Sequence, residues 1–137
     1  MRALTFSSIL LVPLVSGCGP IVSLEVEDLQ EFSLAYIHYI EEHNAAPAEW
    51  DDLVRANGIA PATVERLHNA ETVVNWGSTF HGATNGISNY ILAYPKNALD
   101  SGGHVLMLDG AVHQMGADEL KDRLDSQSAR QANGNHR

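Results

Sequence analysis

The chain of 137 residues contains a single cysteine, Cys18, so no disulfide can form within it and no pair of thiols can bind a metal or cycle between redox states. Positive charge is scarce as well: eight Lys and Arg face seventeen Asp and Glu, for a formal charge of −9 with His neutral. Beyond Arg2 the basic residues are scattered singly from Arg55 to Arg137. No cluster is present to displace counterions from a phosphate backbone or to hold anionic lipid, which argues against nucleic acid as a partner. Long apolar runs are missing too. The longest, about Ile9 to Val15, falls short of the roughly 20 residues that cross a hydrocarbon core, and Pro13 interrupts it. No internal repeat is visible. What remains is 45% hydrophobic and 18% charged, the profile of a folded protein with room for one small core.

The position of the cysteine is informative. Residues 1–17 read MRALTFSSILLVPLVSG: one basic residue at Arg2, an apolar stretch, then the small residues Ser16 and Gly17 directly before Cys18. That is the three-part layout of an export signal. The tetrapeptide Val15-Ser16-Gly17-Cys18 resembles the lipobox of bacterial lipoproteins. The resemblance implies a lipoprotein signal peptide over 1–17, diacylglycerol in thioether linkage on Cys18, and cleavage before it. Loss of Arg2 with the leader makes the body one unit more acidic. Several acyl chains hold a protein to a bilayer almost permanently, at about 0.8 kcal/mol per buried methylene. The expected address is the cell envelope, with the membrane reached through the lipid on Cys18. Gly19 rather than Asp follows the Cys, which favours the outer membrane facing the periplasm.

Along the mature chain, Leu29, Phe32, Tyr36, Tyr39 and Ile40 recur at three- and four-residue steps, which predicts an amphipathic helix over Glu27–His43. Acidic residues at its start suit the helix dipole, and Asn44 and Pro47 end it. Two short helices follow, Ala48–Ala56 with Trp50, Leu53 and Val54 inward, and Pro61–His68 with Val64 and Leu67 inward. After Asn69 the residues become β-branched and aromatic. Thr72–Trp76 and Tyr90–Tyr94 are predicted strands, separated by a loop from Gly77 to Ser88 rich in Gly, Ser, Thr and Asn. His104–Leu108 and Ala111–Met115 flank Asp109-Gly110, a pair that favours a two-residue type I′ hairpin turn. A last helix runs through Leu120 and Leu124, and the polar stretch 126–137 reads as a disordered tail. The expected fold is α+β: a single domain over 18–125 in which a long N-terminal helix packs on an antiparallel sheet of three or four strands.

A long helix, the connector Pro47-x-x-Trp50-x-x-Leu53-Val54 and a closing hairpin resemble a pseudopilin-type domain. The stretch Tyr94-Pro95-Lys96-Asn97, Gly102-Gly103 and Val105-Leu106-Met107-Leu108-Asp109-Gly110-Ala111-Val112 is similar to the terminal hairpin of bacterial pilin-like proteins. Leu99 and Ala111 occupy two positions where those families often carry His, so no role of that His transfers. The prepilin leader and polymerising stem of pilins are replaced by the lipidated Cys. The resemblance therefore implies a tethered module with a structural or protein-interaction role toward an envelope protein.

Seven His residues raise the question of metal. With Leu108 opposite Ala111, His104 and His113 fall two residues out of register on one face of the hairpin, where they could bridge an ion. The plainer reading makes both solvated polar residues while Val105, Met107 and Val112 pack beneath. No metal or cofactor is assigned on that basis, although His104 and His113 remain its candidates. Ser78, Ser88 and Ser101 lie outside any nucleophile elbow, and the adjacent acids Asp51-Asp52 and Glu41-Glu42 diverge on their helices, so catalysis is not expected. Trp50, Trp76, Tyr36 and Tyr39 read as core, and Asp109 with Gly110 as a structural turn. A second functional reading, a periplasm-facing binder of a small ligand or metal, would use the loop 77–88 and the His-bearing face.

Overall fold

A computed structural model of the chain describes residues 23–83 and 86–134. Cys18, the leader before it and the last three residues of the tail lie outside the described residues. The elements are α1 (Leu24–His43), α2 (Trp50–Arg55), α3 (Pro61–Asn69), β1 (Thr72–Val74), β2 (Ile91–Pro95), α4 (Ala98–Ser101), β3 (Gly103–Met107), β4 (Val112–Met115) and α5 (Ala117–Gly134). The fold is α+β, with one four-stranded antiparallel sheet in the order β1-β2-β3-β4.

Helix α1 begins where Ser23, in extended conformation, accepts the Val26 N–H on its hydroxyl, and it ends at Asn44, whose left-handed φ of 52° lets its N–H close on the Ile40 carbonyl. The stripe Leu29, Phe32, Ala35 and Tyr36 is buried against Leu92, Ala93 and Leu106 of the sheet, Leu108 of the hairpin loop, and Leu53 and Leu67 of the connector. Helix α3 starts at Ala60, which has no side chain to cap it. Glu31 of α1 supplies the cap: its carboxylate accepts the Ala60 N–H at 3.0 Å and the Thr63 hydroxyl at 2.6 Å. One turn away on α1, the buried Asp28 takes a forked bond from Arg66, at 2.9 Å from Nε and 2.7 Å from Nη2. These two carboxylates clamp the connector onto the long helix.

The sheet is apolar on both faces. Ile91, Tyr94, Val105, Met107 and Met115 form a second cluster on the side away from α1, completed by Ala98 of α4 and Leu120 of α5, with Leu124 packed against it. A bulge in β2 serves both layers: Ile91 pairs with Met107 but Ala93 pairs with Leu106, so Leu92 and Ala93 both turn toward α1 while Ile91 and Tyr94 turn away.

The β3–β4 hairpin corrects a sequence expectation. Its loop has three residues, Leu108 to Gly110, closed by Met107 N–H to Ala111 O at 2.8 Å and Gly110 N–H to Met107 O at 3.0 Å. Only Gly110 has positive φ, +92°, where a type I′ turn would need it at Asp109 as well. Asp109 instead accepts the Ala111 N–H on its carboxylate at 3.0 Å. Leu108 explains the choice, because it is fully buried beside α1 and its N–H bonds the Tyr90 carbonyl at 2.8 Å. The extra loop residue shifts the register by one, giving Leu106↔Val112, Val105↔His113 and His104↔Gln114.

A second correction concerns the C-terminus. The expected disordered tail from Ser126 continues α5 to Gly134, so the folded unit runs past residue 125. Its anchor is a pair of hydrogen bonds to the β2 backbone, described below.

Gly110 lies against α1, and a Cβ placed there would stand 2.9 Å from the Ser33 hydroxyl. Gly110→Ala should destabilise the fold by about 1–2 kcal/mol from the left-handed backbone alone, plus the cost of that contact. Urea denaturation should show a lowered midpoint, and the penalty should shrink in part when the substitution is made on a Ser33→Ala background.

Candidate binding groove

Between β1 and β2 the chain makes two short 3-10 turns, Phe80–Gly82 and Ile87–Asn89, and this stretch stands opposite α5. The two walls enclose an open groove of about 1180 Å³. Trp76 and Tyr90 supply aromatic surface on the loop side, while α5 presents Glu119, Asp122, Arg123, Ser126, Arg130 and Gln131.

The loop wall is fixed from beneath by the core. The buried Tyr36 hydroxyl donates to the Ser78 carbonyl at 2.9 Å, and the Ser78 hydroxyl donates to the Asn75 carbonyl at 2.6 Å and reaches Tyr90 Oη at 3.2 Å. Trp76 is wedged edge-on against Trp50 and Phe32, with ring centres 5.2 Å and 5.9 Å apart. Burial, partly offset by the bond to Ser78, pushes the Tyr36 phenol up to about 12. Burial also raises Tyr94.

The α5 wall is fixed by one amide. On the side where β1 has ended, opposite to its β3 neighbour, the Ile91 backbone has no strand beside it, and Gln127, though 36 residues away, fills the gap: its Oε1 accepts the Ile91 N–H at 2.8 Å and its Nε2 donates to the Ile91 carbonyl at 3.1 Å. Asn75 Nδ2 donates to the same carbonyl at 2.8 Å. One turn further, Gln131 Nε2 donates to Tyr90 Oη and ties the two walls together at one end of the groove. Arg123 pairs with Glu119 at 3.0 Å.

Comparison with protein-family models, curated proteins and solved structures finds no match. The arrangement of residues is therefore the only guide to what the groove accepts.

The residues singled out from sequence fall in different places. His104 and His113 do not share a face. The observed register sends His104 toward α1, where Nδ1 lies 3.5 Å from Glu25 Oε2, and sends His113 to the opposite side, exposed, on the face that carries Val105 and Met107. A metal bridge between them is ruled out by that geometry, and Val112 packs on the α1 side, opposite to Val105 and Met107. Among the described residues no three His, Cys, Asp or Glu side chains converge as metal ligands. His81 does line the groove, Asp109 with Gly110 forms the turn, and Tyr36 is core, whereas Trp50, Tyr39 and Trp76 are half-buried against it and Trp76 also lines the groove. Sequence reasoning expected the first half of α5 as a helix but not as a groove wall, and missed its second half because Ser126–Gly134 has the small polar composition of a tail. The one signal pointing the other way was Gln127 and Gln131 at helical spacing.

Two outcomes follow. Gln127→Ala leaves the buried Ile91 N–H without a partner, so it should cost about 1–3 kcal/mol, speed amide exchange at Ile91 and hasten tryptic cleavage after Arg123 and Arg130. Gln127→Met, which keeps the bulk, should lose nearly as much if the hydrogen bonds carry the effect. For Tyr36 the folded state keeps its proton where the unfolded chain gives one up, so its contribution is complete below pH 10 and declines as pH rises toward about 12. In Tyr36→Phe, urea midpoints at pH 8 and pH 11 should differ less than in the wild type, with Tyr94 supplying the remaining slope.

Proposed function

We propose that the chain is a lipid-anchored, non-catalytic protein of the cell envelope whose pseudopilin-like body has a structural or protein-interaction role. The observation that carries this reading is the Val15-Ser16-Gly17-Cys18 box, with the cysteine only five residues before Ser23, where α1 is capped. At no more than about 3.6 Å per residue, such a spacer spans less than about 18 Å. The N-terminal end of α1 would then stay close to the headgroups. No described helix is long and apolar enough to cross a membrane, so attachment in this reading is left to the lipid. The partner on the membrane side is the bilayer, and a further envelope protein is the partner of the body, on the periplasmic face of the outer membrane.

The groove favours a second reading, capture of a small ligand by a tethered binding protein. Tyr36, which holds the loop wall at Ser78, is twelve residues along α1 from Leu24, or about 18 Å at the rise of an α-helix. The groove would thus open well away from the tethered end.

Metabolic labelling with an alkyne fatty acid tests the lipid directly. The wild-type protein should take up label and partition into the detergent phase, and Cys18→Ala should do neither. An unlabelled wild type, or equal labelling of the variant, would overturn the assignment.

A further inference from the structure

We propose that the groove between α5 and the described residues of 76–83 and 86–90 binds a short oligosaccharide bearing one carboxylate. This deepens the ligand-binding reading and is independent of the lipid on Cys18.

The α5 side of the groove is polar along its length. From Glu119 to Gln131 one stripe of the helix faces the loop for about 18 Å. Leu120 and Leu124 lie on its other side, against the sheet. Opposite stand the rings of Trp76 and Tyr90 with Ser78 and Thr79, and among the described lining residues the only aliphatic side chain is that of Ala83. Ligand pockets for drug-like molecules, and the anchor sites of peptide partners, are mainly apolar. In this groove the apolar surface comes mainly from the two aromatic rings and is interleaved with polar side chains.

Sugars suit such walls. Each hydroxyl both donates and accepts, matching carboxylates that only accept, guanidinium groups that only donate, and Ser and Thr hydroxyls that do both. The C–H face of a sugar ring is the apolar surface that packs flat on an aromatic ring, and Trp76 is packed edge-on against Trp50 and Phe32. The length of the groove favours several rings over one.

The carboxylate follows from Arg130. Among the described residues the other arginines are all in ion pairs: Arg55 with Glu49 and Asp52, Arg66 with Asp28, and Arg123 with Glu119. Arg130 lines the groove with no such partner, in a chain where acids outnumber bases two to one. A planar guanidinium takes a carboxylate through two parallel bonds, and here the ligand must bring it. Asp122, two turns away on the same stripe, leaves an acceptor for hydroxyls and disfavours a ligand charged along its length.

Calorimetric titration of the full-length protein with xylotriose carrying one glucuronic acid, with neutral xylotetraose and with a tetraglutamate peptide decides the matter. The acidic sugar should bind saturably and change the tryptophan fluorescence. The neutral sugar should bind at least about tenfold more weakly, and so should the acidic sugar to Arg130→Ala, a change of roughly one order in Kd with an unaltered melting temperature. Absence of saturable heat, equal affinity for the neutral sugar, undiminished binding by Arg130→Ala, or binding of the peptide alone would each overturn the proposal. Labelling at Cys18 reads the anchor independently, so failure of one does not mimic failure of the other.

Discussion

The structure depends on a sheet that is apolar on both faces and must be covered twice. With Ile91, Leu92, Val105, Leu106 and Met107 all fully buried in adjacent strands, one helix cannot keep water from both sides. Helix α1 covers one face with the large side chains of Leu29, Phe32 and Tyr36 and is braced by the connector through Asp28 and Glu31. The other face is covered by α4 and by α5, which contributes little more than Leu120 and Leu124. The thinner layer gains from the amide of Gln127 what it lacks in apolar contact. The groove exists because α5 extends past the end of the sheet and meets the loop there.

The long helix, the two connector helices and the closing hairpin were legible because each carries a local periodicity or a capping residue that physics reads within a few neighbours. Their boundaries shifted by a few residues at most: α1 begins at Leu24 because Ser23 can cap it, where apolar spacing alone started it at Glu27. Two features were not legible for a common reason, which is that a distant partner decides them. Whether Asp109-Gly110 forms a two- or three-residue loop depends on the buried site waiting for Leu108 beside α1. Whether Ser126–Gly134 is helix or tail depends on the unpaired backbone at Ile91.

The hairpin shows how far a small local error travels. Lengthening the loop by one residue reverses the side on which every residue of β4 faces, relative to β3. Two histidines that looked like neighbours are thereby separated by the thickness of the sheet, and the metal-binding reading of that face goes with them. The loop 77–88, in contrast, kept its candidacy as a binding element, but its counterpart proved to be α5 and not the His-bearing strands.

The clasp at Ile91 also bears on self-association. An open strand edge is a template: its free amide and carbonyl groups can recruit another chain, which then presents the same groups to the next. A glutamine side chain satisfies both groups yet offers no continuing backbone, so hydrogen bonding stops there. Where β1 runs out after three residues, a single amide thus ends the row at Ile91, leaving β1 itself and β4 as the edges of the sheet.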